Sequence, residues 1–180
     1  GAFENTAISR IENLGSATII QGKSDVNAGG WGNHAAFRNC KNLKYAKLPS
    51  SITEIQYASF AGCTQLSDVI FDDKNSITSI GDGAFCDVPA EFEIDFPNLT
   101  GILGKAAFQN SGVKKILNLG SIETIDGASD ALGPYEYGSL GAFRNCTKLI
   151  EVVFPNTLKY IKFHAFYDCT SLEIEDLNVP

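Results

Sequence analysis

At 180 residues, 44% of them hydrophobic, the chain is long enough to bury a continuous core, and no apolar run approaches the roughly eighteen residues of a membrane-spanning helix. A net charge of −7, with the 14 Lys and Arg scattered rather than clustered, argues against nucleic acid or an anionic membrane as partner. The sequence has no Met and is read as one domain over 1–180, a fragment or mature part of a longer protein with any targeting segment removed upstream.

An anchor Phe, usually after Ala or Ser, recurs at Phe3, Phe37, Phe60, Phe85, Phe108, Phe143 and Phe166. Four of the spacings are 23 or 25 residues, the period of a one-coil solenoid, and the two longer ones carry insertions of about a dozen residues. A longer repeat lies over this one. Adding 105 or 106 carries Asn13-Leu14-Gly15-Ser16 onto Asn118-Leu119-Gly120-Ser121, and Ala36-Phe37-Arg38-Asn39-Cys40 onto Ala142-Phe143-Arg144-Asn145-Cys146. Both insertions, at about 22–34 and 127–141, fall at the same place in this larger unit.

Along the chain, each coil is predicted to begin with one short strand. Leu43, Ala46 and Leu48 point inward and Pro49 stops the strand, because Pro has no N–H for a ladder; Ile52 and Ile55 then point inward before Phe60. Leu66, Val69, Phe71, Ile77, Ile80 and Phe85 repeat the scheme with two extra residues. Glu91-Phe92-Glu93-Ile94-Asp95 alternates strictly, which puts its carboxylates on one face of a strand. Ala107-Phe108 carries the next anchor, and Leu149, Val152, Phe154, Leu158 and Ile161 lead to Phe166. The last residues, 174–180, again fit the strand template.

These repeats resemble the BspA-like (Treponema pallidum type) leucine-rich repeats of bacterial surface proteins. The resemblance rests on Ser59-Phe60-Ala61-Gly62-Cys63-Thr64-Gln65-Leu66 and Ser79-Ile80-Gly81-Asp82-Gly83-Ala84-Phe85, and extends over the whole chain except the two insertions. It implies an α/β solenoid: a right-handed leucine-rich repeat superhelix of about seven coils of 23–25 residues, with one short parallel β-strand per coil and turns or short helical segments opposite. It also implies an extracellular or cell-surface address and a protein ligand, such as a host matrix or partner-cell surface protein. Activity does not follow from fold.

Cys40, Cys63, Cys146 and Cys169 each sit three residues after an anchor Phe, and Cys86 one residue after. Side chains in one slot of stacked coils point the same way, which suits packing but not a bridge, so the odd set of five is expected to be buried, unpaired thiols. His34 and His164 are placed in turns, without a neighbouring nucleophile, and Gly101-Ile102-Leu103-Gly104-Lys105 has the wrong spacing for a phosphate loop. With no nucleophile and base, metal cluster or cofactor fingerprint, the chain reads as a non-enzymatic binder with no cofactor and no metal site.

Outward strand positions form two columns: Arg10, Tyr45, Asp68, Glu93, Lys115, Glu151, Asp176, and Glu12, Lys47, Ile70, Asp95, Leu117, Val153, Asn178. Together they predict a ladder across a concave sheet, with Tyr45, Asp68, Glu93, Asp95 and Glu151 as ligand contacts. The carboxylates around Glu93 raise a calcium site or a glycosidase pair as alternatives to a solvated polar face. Trp31, Tyr135 and Tyr137 on the insertions are the second candidate set, either contacting protein, stacking on carbohydrate, or folding back as lids. The alternatives to protein adhesion are carbohydrate binding through these loops and a structural spacer in a larger surface protein.

Overall fold

The computed structural model describes residues 1–24, 34–128 and 140–173. Its organising feature is the file of anchor rings. Phe3, Phe37, Phe60, Phe85, Phe108, Phe143 and Phe166 stack in chain order with centroids 5.2–5.5 Å apart and planes nearly parallel. Offset stacking at this distance is favourable for aromatic quadrupoles, and the five inner rings are buried. Successive coils therefore shield each other's apolar sides, as a solenoid requires.

Among the described residues, each coil from the one at Phe3 to the one at Phe143 contributes two short parallel strands rather than the single one expected. In the first column Arg10–Ile11 pairs with Tyr45–Leu48 and that with Asp68–Phe71, while Glu93–Asp95 pairs with Lys115–Asn118 and that with Glu151–Val152. In the second column Ile19–Ile20, Glu54–Ile55 and Ser79–Ile80 pair in order, followed by Thr100–Leu103, Ser121–Ile125 and Tyr160–Ile161. The second strand escaped sequence reading because Pro-x-x-Ile-x-x-Ile spaces its inward residues by three, and only the last Ile and its predecessor are extended.

Both strand ladders are interrupted between the same two coils, after Asp68–Phe71 and after Ser79–Ile80, although in the second column Thr100 and Gly104 still donate their N–H groups to the Thr78 and Ile80 carbonyls. Here the slot filled by Leu43, Leu66 and Leu149 carries Glu91, and the apolar space is taken by Ala90 and Phe92 instead. Phe71 and Phe92 fill the resulting wedge edge-on to Phe85, and Phe92 also meets Phe108.

The expected helical side is also corrected. Among the described residues the helical content is one 3-10 turn, Lys74–Ser76, at the two extra residues of its coil. The reason lies two residues after each anchor Phe, where Asn5, Asn39, Gly62, Asp87, Asn110, Asn145 and Asp168 all have φ between +56° and +71°. Asn, Asp and Gly tolerate this left-handed region, and a left-handed residue in every coil interrupts any right-handed helical run. The corner is instead a backbone ladder. Ala58, Phe60 and Gly62 donate their N–H groups to the carbonyls of Asp82, Ala84 and Cys86 in the next coil, and the intervening N–H groups close turns within the coil.

Both insertions leave this corner in the same way. Gly22–Lys23 pairs antiparallel with His34–Ala35, and Gly127–Ala128 with Leu140–Gly141. The duplicated insertion is thus a duplicated two-stranded ribbon base.

Candidate functional site

The strand face places the predicted contacts largely as the repeat arithmetic requires. Arg10, Tyr45 and Asp68 are direct register partners, as are Glu93, Lys115 and Glu151. These side chains are exposed or half-buried, while Ile11, Ala46, Val69, Ile94 and Ile116 beside them are buried. Asp176 and Asn178 lie outside the described residues. Two corrections apply. The ladder is not continuous, because Asp68 and Glu93 belong to separate sheets, and Lys74 donates to the Glu93 backbone carbonyl at 3.1 Å at that edge. Further along, a register shift sets Asp95 opposite Asn118 rather than Leu117.

Most charges on this face are already matched. The Arg10 guanidinium lies 4.2 Å over the Tyr45 ring and also pairs with Glu12; Lys47 pairs with Asp72 at 3.2 Å and Lys115 with Glu151 at 2.9 Å. The hydrogen bond from Lys115 to Glu151 raises the lysine pKa. Glu91 is clasped by Lys114 at 2.7 Å and by Lys148, and these hydrogen bonds hold its carboxyl down at about 2. Ser67 donates to Asp68 at 2.7 Å. Between the ion pairs stand Tyr45 and the exposed side chains of Ile70 and Val153. Charged pairs around aromatic and aliphatic contacts form the polar-rimmed pattern of protein interfaces.

The calcium reading of the carboxylates is not supported. Among the described residues no three His, Cys, Asp or Glu side chains converge as ligands, and Glu91 is neutralised by its two lysines. His34 lies in the first ribbon rather than a turn, with Nδ1 3.3 Å from Glu4, and His164 turns its ring edge-on to Tyr167. Trp31, Tyr135 and Tyr137 lie outside the described residues.

All five cysteines are free, as expected from their slots. Cys40, Cys63, Cys146 and Cys169 donate their S–H groups to the carbonyls of Phe3, Phe37, Phe108 and Phe143, at 2.9–3.1 Å, so each thiol ties a coil to its predecessor. Burial pushes the Cys63, Cys86 and Cys146 thiols up to about 12 and Cys169 to about 11, which keeps them protonated and unreactive.

The BspA type leucine rich repeat region matches in six copies over residues 33–129 and 139–179. The chain belongs to that family. A crystal structure of a leucine-rich repeat protein from Bacteroides ovatus is similar to this BspA-type chain, with 20% identity and a TM-score of 0.51, over 92% of this chain and 47% of that one. At this identity the likeness shows the fold alone, and the chain spans about half the length of that protein. Among curated proteins nothing matches. BspA-type repeats are in general non-enzymatic and point to a protein-interaction module, typically of surface or secreted proteins. Among the described residues no helix is long and apolar enough to cross a membrane.

Proposed function

We propose that the chain is a recognition module of an extracellular or cell-surface protein, a single domain within a longer chain, that binds a protein of the host matrix or of a partner cell. The solenoid is taken as right-handed with about seven coils. Tyr45, Asp68, Glu93, Asp95 and Glu151 supply the contacts, with the exposed Ile70 and Val153, three coils apart, as separate apolar points. The observation that carries this reading is the register-matched outward ladder, Arg10-Tyr45-Asp68 and Glu93-Lys115-Glu151, held on strands whose other face is core. A rigid strand face presents such side chains with little ordering cost on binding.

The test is a biosensor panel of purified extracellular-matrix proteins against the chain and its Tyr45→Ala and Glu151→Lys variants. One saturable partner is expected, weakened at least about tenfold by each substitution, equivalent to about 1.4 kcal/mol. Binding that survives both substitutions removes this face from the reading, and an empty panel removes the matrix-protein partner. The mutual pairing of Lys115 with Glu151 and of Lys47 with Asp72 favours a second reading, a solvated spacer. For a spacer, both variants would behave as the parent on every surface.

A further inference from the structure

On the corner behind the anchor rings lies a trough of about 470 Å³ that the strand face does not use. It begins at Arg38, in the coil that carries the first ribbon, and ends at Leu140, in the second ribbon. Those two coils are four ring steps of 5.4 Å apart, about 22 Å. The trough exists because of one slot. The residue after the anchor Phe is Arg38 and Arg144 in the ribbon-bearing coils; between them it is Ala61, Cys86 and the buried Gln109, so the corner is hollowed out over the coils of Ala61 and Cys86.

We propose that this trough binds an uncharged, linear oligosaccharide of about four sugars, one sugar opposite each coil.

Three observations select that ligand. The first is charge: the lining holds two cations, Arg38 and Lys105, and two carboxylates, Asp82 and Asp87, and so suits a neutral polar chain better than an acidic or basic peptide. The second is the backbone. The corner N–H groups are spent on the next coil, Ala58 on Asp82, Gly83 on Lys105 and Asp87 on Gln109, at 2.8–2.9 Å. No strand edge is therefore open for a peptide to extend, and recognition falls to side chains that donate and accept.

The third is spacing. The anchor rings, one per coil, recur every 5.4 Å, close to the length of one pyranose unit in a linear glycan, whereas the two-residue repeat of an extended peptide is about 6.6 Å and drifts out of step. The polar groups are also held in advance. Asn110 donates to Asp87 at 2.7 Å, Asn145 donates to Asn110 at 2.8 Å, and the Lys105 backbone N–H donates to Asp82 at 2.9 Å. Preorganised hydrogen-bonding groups reduce the ordering cost of capturing a polyhydroxylated chain.

The test is an NMR titration of the isotopically labelled chain with cellotetraose, chitotetraose and mannotetraose, and with an acidic and a basic hexapeptide as controls. At millimolar sugar, at least one tetrasaccharide is expected to shift the amides of Gly62, Gly83 and Ala106, while the peptides do not. Ala61→Arg, which repeats at that slot the residue of the preceding ribbon-bearing coil, is expected to weaken binding at least tenfold. Lys105→Ala, a change at a half-buried side chain of the lining, is expected to weaken it severalfold. Tyr45→Ala should leave sugar binding unchanged, so failure here and failure of the strand-face reading are separable. Absence of shifts with all three sugars, shifts confined to another surface, or preferential peptide binding would each overturn the proposal.

Discussion

Gly15 and Gly120 occupy equivalent places in the 105-residue repeat, with the same φ of +61° and the same supporting bond, from their N–H to Asn13 and Asn118 respectively. They differ in one respect. A Cβ on Gly15 meets nothing within 4 Å, whereas a Cβ on Gly120 would stand 2.4 Å from the Leu99 carbonyl oxygen and 2.6 Å from its nitrogen. Replacing either with Ala incurs the left-handed penalty of about 1–2 kcal/mol. Gly120→Ala must also push one coil's backbone from the next, an overpacking cost of about 1–3 kcal/mol more. Urea unfolding of the two variants should therefore show Gly15→Ala losing about 1 kcal/mol and Gly120→Ala about 3 kcal/mol or more. Equal losses would mean that the coils are not in backbone contact at Leu99, and the stacking argument would fail at its tightest point.

Phe85 is fully buried and meets Phe60, Phe108, Phe71 and Phe92, so Phe85→Ala should cost about 4–5 kcal/mol in the same assay, against about 1 kcal/mol for the half-exposed end ring Phe3→Ala; similar values would contradict an ordered file. Thiols that titrate near 9 when unfolded hold their protons to about 11–12 when folded, so the folded state binds more protons and stability should fall as pH rises from about 9 to about 12. Cys63→Ser with Cys146→Ser should flatten that fall, and rapid alkylation of either thiol in the native protein at pH 8 would refute the burial argument. Glu91, held by Lys114 and Lys148, should titrate at about 2 by NMR and stay ionised through the ordinary carboxylate range. A midpoint near 4.5 would show that the two lysines do not engage it in solution.

The parts legible in the sequence are those that repeat in every coil. The anchor Phe file, the free thiols in one slot and the outward partners of Tyr45 and Lys115 all follow from counting residues, because parallel stacking turns equal offsets into neighbours. What escaped reading depends on departures from the repeat. Glu91 in a leucine slot, with Phe92 filling the gap, coincides with the break in the first strand column, and no period announces that. The missing helices were legible in principle, since Asn, Asp or Gly stands two residues after every anchor, but the signal lies in backbone conformation rather than hydrophobic spacing. The trough was hidden for a different reason. Ala61 and Cys86 are unremarkable singly and matter only when set beside Arg38 and Arg144 in the same slot.

The paired ribbons make the molecule a ruler. Each 105-residue unit spans four coils and carries one ribbon base, so duplicating the unit again would set a third ribbon base four coil steps beyond the second. A chain that lengthens by such units multiplies the corner between successive ribbon bases, gaining valency for a periodic ligand without inventing a new contact.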